Sequence, residues 1–139
     1  MKRFSILLLA VITLASCKDS NPLGCGKNTF CTENFVSVLV TFTDKDGKGI
    51  PIKNYSAVNQ RTGEPINTNG SIYTDLTPGT FIVIDDSETK KVSLEGDDIK
   101  VTGTYEITGQ TKSAIIKVGR DECFCHVNKI FGPDKIVFD

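Results

Sequence analysis

Residues 36–52 read VSVLVTFTDKDGKGIPI, and this stretch decides the fold expected for the chain. Valine or phenylalanine occupies every second position from Val36 to Phe42, which is the period of a β-strand. Residues 44–49 that follow consist of Asp, Lys and Gly, and these residue types favour a tight turn. Residues 50–52 then open another extended segment. The stretch therefore predicts a strand, a turn and a second strand.

The remainder of the chain repeats this pattern of short apolar runs between turn-forming residues. Apolar runs lie at residues 81–84, 99–107, 114–118, 123–130 and 136–138, and Gly, Pro, Asn or Asp breaks lie at 61–65, 69–70, 77–79, 96–98, 109, 119–121 and 132–133. Strands at this spacing predict an all-β fold, an antiparallel β-sandwich of 7–8 strands. Residues 81–84 are apolar on both alternating faces, which predicts a central strand.

The opening of the domain also carries a family resemblance. The pattern V-x-V-x-F-x-D-x-x-G-x-x-I-P at residues 38–51, followed by Thr62-Gly63-Glu64, resembles the carboxypeptidase regulatory-like, transthyretin-like domains of exported bacterial proteins. The resemblance implies a Greek-key β-sandwich and a module without catalytic activity.

The N-terminus has the features of an export signal. Lys2 and Arg3 precede an apolar stretch at residues 6–14, which is too short to span a bilayer. Residues 14–17, LASC, resemble the lipobox of bacterial lipoproteins. The alternative is an ordinary signal peptide whose cleavage site happens to contain a cysteine. We expect a lipoprotein signal peptide at 1–16, a lipidated tether at 17–24 and a β-sandwich domain at 25–139.

The lipobox resemblance implies that Cys17 is the lipidation site. Its thiol would carry a diacylglycerol, and its new amino group a fatty acid such as palmitate. Two or more acyl chains hold a protein stably on a bilayer without spanning it. The expected localisation is the cell envelope, with the protein held by lipid on the outer membrane, on its periplasmic or surface-exposed face.

Four further cysteines, Cys25, Cys31, Cys123 and Cys125, predict a disulfide framework in an exported domain. Cys123 and Cys125 lie in the predicted strand 123–130, where both side chains would share one face. Residues two apart in a strand are near the upper distance limit for a disulfide. We therefore expect both to pair with Cys25 and Cys31, with the connectivity left open.

Two patterns invite a metal-site hypothesis. Asp44-Lys45-Asp46-Gly47 is similar to the start of a calcium loop but lacks its distal glutamate, and a plain turn explains the same residue types better. Cys123, Cys125 and His126 could bind zinc together with Cys25 or Cys31. An oxidising compartment favours disulfides, so we expect no metal site and no cofactor.

No combination of residues predicts catalysis. The acid pairs Asp85-Asp86 and Asp97-Asp98 are interpreted as solvated turn charges, because neighbours in a strand or turn diverge. His126 is the sole histidine, and no Ser or Cys lies in a nucleophile motif. We therefore expect no catalytic residues.

The charge balance also limits the function. Lys plus Arg total 16 and Asp plus Glu total 17, so no basic excess favours nucleic acid as a partner. We expect a non-enzymatic binding or adhesion module held at the membrane through Cys17, with an envelope protein or a glycan as ligand. The alternative is a structural spacer or assembly factor of the envelope without a soluble ligand. A metal-dependent hydrolase is the least favoured hypothesis.

Overall fold

The computed structural model describes Cys25 and residues 30–67 and 78–139. The signal peptide, the lipidation site Cys17 and the tether at 17–24 lie outside the described residues, as does the predicted turn at 69–70. None of the helical segments in the described ranges is long and apolar enough to cross a membrane.

Seven strands and one short 3-10 helix make up the described fold. The strands are β1 (Ser37–Thr43), β2 (Ile52–Asn59), β3 (Thr80–Asp85), β4 (Asp97–Tyr105), β5 (Thr111–Arg120), β6 (Val127–Phe131) and β7 (Lys135–Val137), and the 3-10 helix is Asp86–Lys91. β1 overlaps the alternating segment that predicted it, and β4 and β5 overlap the apolar runs at residues 99–107 and 114–118.

The strands form two sheets. One has three strands in the order β3-β1-β7, and the other has four in the order β2-β4-β5-β6. This confirms the prediction of an all-β sandwich. All neighbours pair antiparallel except β1 and β7, which run parallel from Thr41 opposite Lys135 to Thr43 opposite Val137. The chain reaches β7 by crossing from the other sheet, and such a crossing does not impose the antiparallel direction that a hairpin imposes.

The core lies between the sheets and is centred on Phe42, which is fully buried. The Phe42 ring contacts the rings of Tyr55, Phe81 and Phe138 at centroid distances of 5.7–6.1 Å. β3 is buried at every position from Thr80 to Ile84. The prediction of a central strand is nevertheless wrong, because among the described strands β3 lies at the edge of its sheet and β1 is central; the apolar run reflects burial of both faces and not a central position.

Three details differ from the predicted elements. The 3-10 helix was not predicted; the Asp85 carboxylate caps it by accepting the Ser87 N–H at 2.9 Å. β4 begins at Asp97, inside a predicted break, because that carboxylate is buried and hydrogen-bonded. β6 begins only at Val127, so Cys123 and Cys125 lie in a turn and not in a strand.

Candidate functional site

Two disulfides join the N-terminal segment to the turn before β6. Cys25 pairs with Cys123 and Cys31 with Cys125, and the Cα atoms of each pair are 5.3 Å apart. This confirms that the late cysteines bond to the early ones, and it settles the connectivity. Because the four sulfurs form disulfides, these cysteines are not zinc ligands. We call the end of the sandwich that contains these four residues the disulfide end.

The turn that carries Cys123 and Cys125 is closed by a carboxylate. Asp121 accepts the backbone N–H groups of Cys125 and His126 at 2.8 and 3.0 Å. Phe124, between the two cysteines, has φ of 60°, in the left-handed region that non-glycine residues seldom adopt. The prediction that a strand would point both sulfurs to one face is therefore wrong, because these side-chain hydrogen bonds favour a turn.

The Asp86 carboxylate connects three parts of the disulfide end. It accepts the backbone N–H groups of Val36 and Val127, both at 2.8 Å, and lies 2.7 Å from His126 Nδ1. The Asp86 side chain is only 8% exposed. Burial has the largest single effect on its pKa and raises it, but the hydrogen bonds from His126, Val36 and Val127 together lower the pKa below its usual value.

His126 also contacts the N-terminal segment. Its Nε2 atom lies 2.8 Å from the hydroxyl oxygen of Thr32, which is exposed. The three side chains of Thr32, His126 and Asp86 therefore form a hydroxyl–imidazole–carboxylate series. Its members are 94 and 40 residues apart in the chain, so no local spacing in the sequence could have predicted it.

A second buried carboxylate, Asp97, lies at the start of β4. Arg61 binds it through two hydrogen bonds, from Nε to Oδ1 and from Nη2 to Oδ2, both 2.7 Å long. Asn59 Nδ2 donates to Oδ2 at 2.7 Å, and the Ser93 hydroxyl donates to Oδ1 at 2.8 Å. The Asp97 side chain is 2% exposed, whereas Arg61 is 56% exposed. The buried carboxylate thus fixes a guanidinium that reaches solvent.

These bonds also set the charge state of Asp97. The Arg61 hydrogen bond holds the pKa of the Asp97 carboxyl far below its usual range and outweighs burial, which raises the pKa. Bonds from Asn59 and Ser93 lower it further. Asp97 is therefore ionised throughout the physiological range.

Arg61 and Asp97 line an open cleft with a volume of about 320 Å³. The other lining residues are Gln60, Gly96, Asp98 and Lys117. A Cβ atom placed on Gly96 would collide with the side chain of Ile130, so the cleft borders this half-exposed apolar residue. The arrangement presents a guanidinium, an ammonium, a carboxylate and an amide to a ligand, beside an apolar surface.

The interpretation of the acid pairs as solvated turn charges is wrong for one member of each pair. In each pair one carboxylate, that of Asp86 or Asp97, is buried with several donors. Of their neighbours, Asp85 caps the 3-10 helix and Asp98 is exposed. Which member turns inward depends on partners distant in the sequence. For Asp97 the sequence contains one weak indication of an ion pair, because the predicted break at residues 61–65 begins with a cation, Arg61.

The residues of the calcium-loop pattern form a turn. Asp44 Oδ1 accepts the N–H groups of Asp46 and Lys48 at 3.0 and 2.9 Å, and Gly47 has φ of 82°. Turn chemistry therefore accounts for these residue types. Across Cys25, 30–67 and 78–139, no group of three or more His, Cys, Asp or Glu side chains is arranged to hold a metal ion.

The fold and the site define the chain as a disulfide-bonded β-sandwich with a polar cleft. Comparison with protein-family models, curated proteins and solved structures found no match.

Proposed function

We propose that this protein is a lipid-anchored, non-enzymatic module of the bacterial cell envelope that binds an envelope protein or a glycan. The basic start, short apolar run and LASC sequence at residues 14–17 support the lipid anchor at Cys17. The two disulfides support an oxidising compartment.

The observation that carries the binding function is the fixed position of Arg61. An exposed arginine ordinarily samples many rotamers, and ordering it on binding costs free energy. Here the two bonds to Asp97 hold the guanidinium in place before any ligand arrives. A positioned polar group at the wall of a concave surface is characteristic of recognition sites.

The chemistry of the cleft favours a polar ligand. Arg61, Lys117 and Gln60 offer N–H donors, and Asp98 offers an acceptor. Hydroxyl, amide and carboxylate groups complement this set. A volume of about 320 Å³ lies at the small end of the about 300–1,000 Å³ range of ligand pockets. It suits a short saccharide or a few side chains of a protein loop.

The lipid anchor is tested by replacing its cysteine. Cys17→Ala should move the protein from the membrane to the soluble fraction or stall it as the precursor, whereas Ser20→Ala in the tether should leave it membrane-bound. Mass spectrometry of the wild-type protein should show a chain that begins at Cys17 with fatty acids attached. An unmodified Cys17 would contradict the proposal.

The binding function is tested by site-directed crosslinking in native membranes. A photo-crosslinking residue replaces Gln60 at the cleft or Asp46 in the distant 44–49 turn, and the adducts are identified. We expect one defined protein or glycan adduct at position 60 only. Lys117→Ala should weaken it, whereas Lys100→Ala, on the same sheet face outside the cleft, should not. Absence of any adduct at position 60 would favour the structural-spacer alternative.

The series Thr32–His126–Asp86 supports a second candidate function, acyl transfer or hydrolysis. A hydroxyl, an imidazole and a carboxylate in this order can generate a nucleophile, with the Thr32 proton passing to His126 Nε2 as the Thr32 oxygen attacks a carbonyl carbon. His126 then gives that proton to the leaving group as the bond between this group and the carbonyl carbon breaks. Asp86 also accepts two backbone N–H groups, so a purely structural role explains its position equally well.

A fluorophosphonate probe separates these functions. A binding module should show no labelling and no hydrolysis of a nitrophenyl ester above that of Thr32→Val. Labelling that is lost in Thr32→Val but kept in Thr108→Val would establish the enzyme and contradict the non-enzymatic proposal.

A further inference from the structure

Three phenylalanine side chains are exposed at the disulfide end. Phe30 is 92% exposed, Phe35 67% and Phe124 48%. The Cα atoms of Phe30 and Phe124 are at most about 13 Å apart, because Phe30 precedes Cys31, whose Cα lies 5.3 Å from that of Cys125. We call these three residues the phenylalanine patch. Exposed clusters of large apolar side chains mark sites of association in soluble domains.

The backbone that carries the patch is held in place. Disulfides flank Phe124 on both sides, at Cys123 and Cys125. The neighbour of Phe35, Val36, donates its N–H to the buried Asp86. The φ of 60° at Phe124 is unfavourable for a bulky residue, so the turn around it must hold this conformation, and the ring is half-exposed. The exposed rings are therefore presented by a fixed scaffold.

The covalent path from Cys17 indicates what covers this patch. Cys25 is eight residues after Cys17 in the sequence, so its Cα lies within about 28 Å of the lipidated residue even at full extension. Cys25 is bonded to Cys123, the residue beside Phe124. A lipid at Cys17 therefore keeps the disulfide end within about 28 Å of its attachment point on the bilayer.

Arg120 gives the patch a second property of a membrane-facing surface. Its guanidinium lies 3.4 Å from the centroid of the Phe124 ring. A cation stacked on an aromatic ring suits the bilayer interface. Arg120 Nε and Nη1 also donate to the carbonyls of Val92 and Asp121 at 3.1 and 2.9 Å, so the guanidinium is fixed against the ring. Glu122 beside it is exposed and offsets this charge, so apolar contact dominates the attraction.

We propose that the phenylalanine patch inserts into the interface of the same bilayer that holds the lipid at Cys17, and so fixes the orientation of the domain on the membrane. This inference rests on the proposed lipid anchor. The three rings enter the headgroup and acyl boundary, and the opposite end of the sandwich, with the 44–49 turn, points away from the membrane.

The chain contains no tryptophan, so a single Phe→Trp substitution introduces a unique fluorescent reporter. Phe30→Trp and Phe124→Trp report on the patch. Ile107→Trp is the matched control, because Ile107 is 75% exposed and lies far from the patch. Ile107 precedes the first residue of β5, a ten-residue strand about 30 Å long, and the last residue of that strand, Arg120, contacts Phe124. Phe30→Trp replaces an almost fully exposed ring, so it preserves the fold.

The purified full-length lipoprotein is reconstituted into phosphatidylethanolamine–phosphatidylglycerol vesicles with brominated acyl chains. We expect the tryptophan emission of the Phe30→Trp variant to shift to the blue and to be quenched about twofold or more, since interfacial groups lie about 5–10 Å deep. The Phe124→Trp variant should behave alike, and the Ile107→Trp variant should be unquenched.

Vesicle flotation separates failure of the docking from failure of the anchor. Protein that floats with the vesicles while both patch reporters remain unquenched would overturn the docking inference and leave the lipid anchor intact. Protein that carries no lipid and does not float would overturn the anchor and the inference with it. Equal quenching of the Ile107→Trp control would also contradict a fixed orientation.

Discussion

The buried carboxylates of Asp86 and Asp97 hold the loops around them in place through hydrogen bonds. Each accepts at least three hydrogen bonds from groups far away in the chain. A buried carboxylate without donors would be costly, so the donors and the acid are required together. The consequence is that removal of either acid leaves several donors unpaired.

Asp97 and its neighbour Asp98 provide a matched pair of substitutions. Asp97→Ala should lower the free energy of unfolding by about 2–4 kcal/mol, because Asn59 and Ser93 lose a buried acceptor and Arg61 loses its counter-charge. Asp98→Ala, on an exposed side chain, should change it by less than about 0.5 kcal/mol. Urea unfolding followed by circular dichroism measures both. Equal losses in the two variants would contradict the role assigned to Asp97.

At the scale of the strand, β4 contains a glycine because the core needs its space. Gly103 pairs with Lys112 of β5, and a Cβ atom on Gly103 would lie 2.8 Å from both Phe42 Cζ and Ile52 Cγ2. The Phe42 ring therefore packs directly on the backbone of β4. The glycine permits the two sheets to approach at this point.

Gly103→Ala should therefore destabilise the fold by about 1–3 kcal/mol through overpacking, although alanine is ordinarily tolerated in strands. Thr104→Ala, one residue later on the outer face, removes one exposed hydroxyl bond to Thr111 and should cost less than about 1 kcal/mol. Thermal unfolding of the two variants in parallel provides the comparison. A stabilised Gly103→Ala variant would show that the ring moves aside freely.

The N-terminal segment and the turn before β6 are joined by two interlaced bridges, since Cys31 lies inside the Cys25–Cys123 loop and Cys125 outside it. Cys25–Cys123 closes a separation of 98 residues and Cys31–Cys125 one of 94. Once either is formed, the other closes only the short remaining loop. In the chain-entropy model the first contributes about 4.7 kcal/mol and the second about 2–3 kcal/mol.

Loss of one bridge should therefore cost less than half of the loss of both. Cys25→Ser with Cys123→Ser, or Cys31→Ser with Cys125→Ser, should each lower the free energy of unfolding by about 2–3 kcal/mol, and the fourfold variant by about 7 kcal/mol. Equilibrium denaturation of the three variants measures this. Strictly additive losses would indicate that the bridges act independently, against the short second loop expected of the interlaced arrangement.

At the scale of the whole molecule, the sequence predicts the strands of the two sheets better than the turns and loops at the disulfide end. Alternation in β1 and apolar runs in β4 and β5 predict the two sheets, because local period decides which face is buried. The disulfide end depends on contacts across 40–98 residues, such as His126 with Asp86. Local patterns do not encode such contacts, so the turn at Cys123 and the cleft at Arg61 were not predicted.

The two buried carboxylates also govern how the whole fold responds to acid. Asp86 and Asp97 have pKa values below that of a free aspartate, about 3.9, so the folded state favours their ionised forms. The stability that they contribute is fully present well above pH 4 and is lost as the pH falls below about 4 towards their folded pKa values. The free energy of unfolding should accordingly be flat near neutrality and decline in strong acid.

Asp97→Asn tests this dependence, because it keeps the shape of the side chain and removes its titration. The variant should be less stable than the wild type at pH 7, and the gap should narrow between about pH 4 and pH 2, where Asp97 takes up a proton in the unfolded wild type while the folded carboxylate is still ionised. Asp98→Asn should follow the wild-type curve. Urea titrations at several pH values give the free energies, and a gap that stays constant down to pH 2 would mean that the charge of Asp97 does not support the fold.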